Sequence, residues 1–176
     1  LQLKPKMRSD EATKIIIRFL LQVMKRNEFG IKQDIDTEFL HDFRVAIRRI
    51  RSALAQIKGV FPEETTQRFK QDLSTLGKRT NELRDLDVYL LSEERYKTML
   101  PKSLCGEIDP LFDHLRQKRT VALRKVVKGL EAPTYATIWQ TWESFLDEPK
   151  VASPTPPNAK RPIIAVARNR IYRKYR

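Results

Sequence analysis

The stretch FLHDFRVAIRRIRSALAQIK, from Phe39 to Lys58, decides how the chain folds. At about 100° per residue, Phe43, Ile47, Ile50, Leu54 and Ile57 fall on one side of a helix, and His41, Arg44, Arg48 and Arg51 line the adjacent stripe. One helix therefore carries a core face beside a cationic ladder. A bundle helix needs a wet side, and arginines commonly fill it. Two details set this stripe apart. It contains no acid, so the mixed-sign i, i+4 pairing of a solvated face is missing. It also uses arginine, whose planar fork matches phosphate oxygens, where lysine would serve for solubility alone. The pattern suits a polyanion.

The rest of the composition agrees. Thirty-five basic residues against 22 acidic ones give a net charge of +13 over 176 residues. An anionic partner follows, and nucleic acid, an acidic membrane face and an inorganic phosphate polymer all satisfy the charge. Hydrophobic residues make up 40% of the chain, enough for a folded core. Glycines are few, apolar spacing is helical and alternating β-branched runs are lacking, so we expect an all-α protein. No run approaches the about 20 apolar residues of a membrane span; Ile15 to Val23 is too short. The single Cys105 excludes an intrachain disulfide, fits a reducing, intracellular compartment and reads as a small apolar residue. The chain starts without an initiator methionine, as a piece of something longer would.

Taken in order, residues 1 to 8 read as a loose basic lead-in. Ser9 caps a helix with Ile15, Ile16, Phe19, Leu20 and Val23 on its apolar row, ending near Asn27 to Gly30. Asp36 or Thr37 caps the arginine helix, which stops at Gly59 and Pro62. A third helix runs from about Glu63 through Leu90, with Phe69, Leu73, Leu76, Leu83 and Leu86 inward and Gly77 and Thr80 allowing close approach. Within it, TNELRDLDVYLL holds Asp85 and Asp87, carboxylates suited to a metal, to acid/base work or to pinning neighbouring arginines; pinning is the reading we favour. Asp109-Pro110 is an N-cap and first position, opening a helix to about Leu130. Its apolar arc contains Leu111, Phe112, Leu115, Ala122, Leu123, Val126 and Leu130, with Arg119 inside the arc, Arg116 at its edge and His114 away from it at the surface. An unpaired guanidinium in a dry core costs several kcal/mol (~3–5). Arg119 must therefore meet Asp85 or Asp87, or face a wet anion-binding cleft. Tyr135, Ile138, Trp139, Trp142, Phe145 and Leu146 share one helix and read as core, not as a base-stacking platform. Residues 147–162 form a Pro-rich linker, and 163–176 begin a basic helix with Arg168, Arg170, Arg173, Lys174 and Arg176.

These residues resemble the CHAD family, the conserved histidine α-helical domain. The resemblance rests on His41-Asp42-Phe43-Arg44-Val45, on Arg48-Arg49-Ile50-Arg51-Ser52, on TNELRDLDVYLL, on Leu115 to Arg119, on Tyr135 to Leu146 and on the RIYRKYR ending. It covers nearly the whole chain in order. The family implies an all-α helical bundle, a single domain of two pseudo-symmetric four-helix halves around a basic channel: residues 1–100, then a partial second half over 109–176. It implies a non-catalytic module for inorganic polyphosphate, with no cofactor, associated with polyphosphate granules and in some members fused to a triphosphate-handling domain. Carried over by position, the polyphosphate-binding residues are His41, Arg44, Arg48, Arg49, Arg51, Arg84, Arg116 and Arg119, with Lys78 and Arg79 where the motif is looser and Asp85 as the partner of Arg84. A second histidine-and-arginine helix, expected after RIYRKYR, is absent from the sequence.

The expected mechanism is a cleft in which consecutive phosphates meet forked arginines. His41 either donates to a phosphate oxygen or packs at the helix start. Arg49 lies off the stripe by angle and suits an acid such as Asp85. Three rivals share the charge. A nucleic-acid binder would place aromatics among its basic residues. An enzyme on phosphorylated substrates would use Asp85 and Asp87 with a divalent ion. A helical scaffold would meet an acidic protein. No phosphate-cradling glycine loop, nucleophile or metal triad is present to support hydrolysis.

Overall fold

A computed structural model describes residues 2–148 and 155–174. The chain is all-helical. In order come α1 (Ser9–Lys32), α2 (Thr37–Gln56), α3 (Glu63–Arg79), α4 (Asn81–Leu91), α5 (Glu93–Thr98), a 3-10 turn at Lys102–Leu104, α6 (Asp109–Glu131), α7 (Pro133–Asp147) and α8 (Ile163–Lys174). Among the described residues no strand forms; Arg8 and Pro162 make an isolated bridge. Part of the Pro-rich linker, 149–154, and the last two residues of RIYRKYR lie outside the described residues.

Helix α2 buries Leu40, Phe43, Ala46, Ile47, Ile50 and Leu54, the side its periodicity marks. Each of these side chains other than Ala46 contributes about 1.5–3 kcal/mol on leaving water. Asp36 caps the helix by accepting the Glu38 N–H at 2.8 Å. At the far end Gly59 takes φ +67°, a left-handed turn that favours glycine.

Helix α1 differs from expectation in phase, length and cap. Its buried row is Ile17, Leu20, Leu21, Met24 and Ile31, while Phe19 is exposed. The run from Ile15 to Leu21 is apolar on more than one side, so periodicity alone does not fix which side turns inward. The helix also continues past Gly30, because Gly30 is where α2 crosses it. A Cβ built there would lie 2.2 Å from Phe39 Cγ. Ser9 is no cap. Its Oγ donates to the Arg161 carbonyl at 2.7 Å, and the Ser9 and Asp10 N–H groups donate to Arg161 O and Ala159 O. The first-turn donors that need partners find them in a segment from the far end of the sequence. The lead-in is likewise held, since Ile163 N–H donates to Met7 O and Ile164 N–H to Pro5 O.

The expected third helix is two. It breaks at Thr80 (φ −99°, ψ −1°), where Thr80 Oγ1 and Arg44 Nη1 both donate to Gly77 O. Gly77 is not forced by space, since a Cβ there would make only an ordinary 3.9 Å contact with Ile47. Helix α6 starts one residue earlier than expected, with Ile108 at the cap position; Asp109 instead pairs with Lys97 at 2.8 Å. Leu111 is exposed, while Phe112, Ala122, Val126 and Leu130 are buried.

One cluster of buried side chains draws on α1, α2, α3, α4, α6 and α7, taking residues from both sides of the 100–109 stretch. The aromatic row of α7 belongs to it. Trp142 meets Phe69 edge-on at 5.6 Å and donates its Nε1 to Asp72 at 3.2 Å.

Gly30→Ala should lower unfolding free energy by about 1–3 kcal/mol through overpacking against Phe39. Gly106→Ala, where nothing lies within 4 Å, should leave it within about 0.5 kcal/mol. Urea titration of the two variants checks both.

Candidate functional site

Residues three and four apart on a helix share a face, so Arg44, Arg48 and Arg51 stack along α2 beside its core row. They face α3 and the start of α4. Two hollows of about 660 and 280 Å³ lie between, sharing Arg48, Arg51 and Ser74; Lys70 lines the first, and Arg44, Lys78 and Asn81 line the second. Among the described residues no Asp or Glu lines either hollow. Among the described residues, none of these five cations has a carboxylate within ion-pair distance.

Arg44 is the most enclosed of them. Its Nη1 donates to Gly77 O at 3.0 Å, Thr80 Oγ1 at 2.7 Å and Asn81 Oδ1 at 2.9 Å. All three acceptors are neutral. Burial lowers its pKa from the ordinary arginine value; nearby Arg48 and Arg84 lower it further, against the pull of Asp85. A positive charge held by neutral acceptors, with Asp85 acting on it only from beyond ion-pair distance, is one that a bound anion stabilises.

The remaining expected residues are distributed more widely. His41 is half-buried one turn before Arg44 but lines neither hollow. Arg49 is exposed on another side of α2 and forms no ion pair with Asp85 among the described residues. Arg79 is exposed, its Cδ 3.9 Å from where a Gly129 Cβ would stand. Arg84 is half-buried, with Nη1 enclosed and without a hydrogen-bond partner. Arg116 pairs with Glu93 and Asp113.

Arg119 meets an acid, as its place in the α6 arc demands. Its Nε donates to Asp87 Oδ1 at 2.7 Å, and Nη1 and Nη2 form a fork with Asp34 at 2.8 and 2.6 Å. The pinning acid on α4 is Asp87, 1% exposed. Asp85 is exposed and among the described residues pins nothing within ion-pair distance, because positions two apart on a helix point about 200° apart. Asp34 was not foreseen. It sits in the α1–α2 turn at φ 51°, where its sequence neighbours mark only a loop. The signals for Lys70 and Ser74 were also weak, since neither belongs to a basic stripe on its own helix. Among the described residues no group of three or more His, Cys, Asp or Glu is placed to hold a metal ion.

A separate cavity of about 450 Å³ lies among α1, α3 and α7, lined in part by Asp10, Lys14, Phe145 and Glu148. Its lysine is already committed, donating to Phe145 O and Glu148 O at 2.6 and 2.8 Å. With two carboxylates in its wall, it does not suit a polyanion.

The model of the CHAD domain family matches residues 15–176. No curated protein matches the chain. No helix among the described residues is long and apolar enough to cross a membrane.

Arg119→Met should cost about 3–5 kcal/mol, because it leaves Asp87 buried without its partner; adding Asp87→Leu should recover much of that loss in a denaturant titration. The two acids respond oppositely to pH. The hydrogen bond from Arg119 holds Asp34 below the usual carboxylate range, so its contribution is complete above about pH 4 and is lost as pH falls through the lowered folded value. Burial raises Asp87 against the pull of Arg119; its contribution is complete below the unfolded value and is lost as pH rises through the raised one. Asp34→Asn should therefore flatten the acid side of the stability–pH curve, and an unchanged acid side would overturn the assignment.

Proposed function

The chain belongs to the CHAD domain family, and from that premise we propose that it is a non-catalytic binding module for inorganic polyphosphate, residing in the cytoplasm with polyphosphate granules. The observation that carries this reading is the groove along α2, where five cations face a surface free of carboxylates. Arg48 and Arg51 offer forked donors to successive phosphates, and Lys70 and Lys78 supply point charges from the opposite wall. Arg44 anchors the wall and adds a charge that only the more distant Asp85 offsets. His41 and Arg49 lie beyond the groove edges and reach only the parts of a ligand that leave it. Arg116 and Arg119 hold the fold together and leave recognition to α2 and α3.

The groove favours a phosphate polymer over single-stranded nucleic acid. Among the described residues no aromatic side chain lines it, and Trp139 and Trp142 are buried in the core. Bases would thus have no platform to stack on, a contribution of about 1–3 kcal/mol per base. The phosphate oxygens remain as the shared feature the groove can read.

Long-chain polyphosphate should bind the protein more tightly than single-stranded DNA of matched charge, with both weakening as salt rises because counterion release is common to all polyanions. Arg48→Ala/Arg51→Ala should remove the preference and reduce the slope of log K against log salt by about 2, one per lost phosphate contact. Equal affinity for the two polymers, or a double variant that behaves like the parent, would sink the reading. Arg44→Ala is the poorer probe, since it also releases the α3–α4 break.

A further inference from the structure

The groove does not stop where α2 does. Beyond Gln56 lies another hollow of about 200 Å³, lined by Gln56, Lys58, Asn158, Arg161, Asn169 and Arg170 and again free of carboxylates. Gln56 lines this hollow and the larger α2–α3 hollow alike. Arg170 Nε donates to Gln56 Oε1 at 2.7 Å, which sets the cation at their junction. Lys58, Arg161 and Arg170 have no ion-pair partner among the described residues.

We propose that this hollow between the end of α2 and α8 is a second phosphate subsite, occupied by the same polymer chain that lies in the α2–α3 groove. The inference rests on the polyphosphate reading above and extends it to the length of ligand the protein holds. From Arg44 to Gln56 the helix rises about 18 Å, at ~1.5 Å per residue. A tripolyphosphate seated at Arg44 and Arg48 ends well short of the distal hollow, which opens about 12 Å further along the axis. A long chain reaches it.

The end of a helix is ordinarily a poor place for an anion, because its last carbonyls carry partial negative charge. Here Ala53 O is covered, and so are the carbonyls of Lys58 and Gly59 in the turn that follows α2. Ile57 N–H donates to Ala53 O and Asn158 N–H to Gly59 O, while Asn158 Nδ2 donates to Lys58 O at 2.8 Å. Asn158 Oδ1 in turn accepts from Arg161 Nη1 at 3.1 Å, aligning that guanidinium on the rim. One asparagine thus covers two carbonyls of the turn beyond α2 and orients a guanidinium. The contrast with the hollow on α1 makes the point specific. That space, about 450 Å³ between α1 and the end of α7, is lined by Asp10, Glu11, Asp147 and Glu148 as well as by cations.

The test compares long-chain polyphosphate with tripolyphosphate on the parent, on Lys58→Gln/Arg161→Gln and on Lys58→Gln/Arg170→Gln, with thermal midpoints measured alongside. Each double variant should reduce the salt slope for the long chain by about 2 and leave tripolyphosphate binding unchanged. The second pair spares the Arg161–Asn158 contact, so a folding defect confined to the first pair does not decide the outcome. Long-chain binding equal to the parent in both variants overturns the subsite, as does an equal loss for both ligands. A parent that binds polyphosphate no better than DNA overturns the functional reading itself, and the subsite with it; that failure appears before any variant is made.

Discussion

Everything else in the molecule depends on how closely α1 and α2 approach at Gly30. Phe39 occupies the space a side chain would fill there, so the two helices meet near the start of α2 and its apolar row is committed to the core. With that row fixed, helical geometry fixes the rest: the arginines a third of a turn away can only face α3 or solvent. The cationic stripe is positioned by its apolar neighbours. A small residue on a different helix therefore has more influence on the groove than any charge within it.

The second organising constraint is the placement of acids. In a protein of net charge +13 the carboxylates are few enough that their positions matter. Asp34 and Asp87 are spent on Arg119, Glu93 on Lys97 and Arg116, and Asp147 on Arg18. Apart from Glu93–Lys97, which lies within α5, each of these pairs ties one part of the chain to another. None lines the hollows on α2. The separation of structural from unpaired cations is thus produced by where the acids sit, because lysine and arginine occur on nearly every helix.

Sequence periodicity located α2 and its two faces because a single row of isoleucine, leucine and phenylalanine leaves one solution. It failed for α1, where Ile15, Ile16, Ile17, Leu20 and Leu21 permit several phases and only contact with α2 chooses among them. It joined α3 to α4, since Gly77 and Thr80 are merely weak helix formers and the break needs Arg44, a residue 36 positions away from Thr80, to hold it. For the groove, the α2 wall was legible as a stripe and the opposing wall was not. Lys70 and Ser74 acquire meaning only when α3 lies beside α2. Arg119 was correctly required to find an acid, yet its bidentate partner Asp34 comes from a turn, where no period exists to place it.

The clamp that joins the segment before α1 to the segment before α8 has a kinetic consequence. The Ser9 hydroxyl and its acceptor on Arg161 are separated by 152 positions, and closing a loop of that size yields nothing until both ends are already in place. The bundle of α1 to α7 can assemble from nearer contacts, so α8 docks last and, with little buried area beyond Val166 and Ala159, is the first element to open. The amide hydrogens of Ser9 and Asp10 report that opening. Loss of that docking alone would leave the α2–α3 groove in place and remove the α8 wall of the distal hollow.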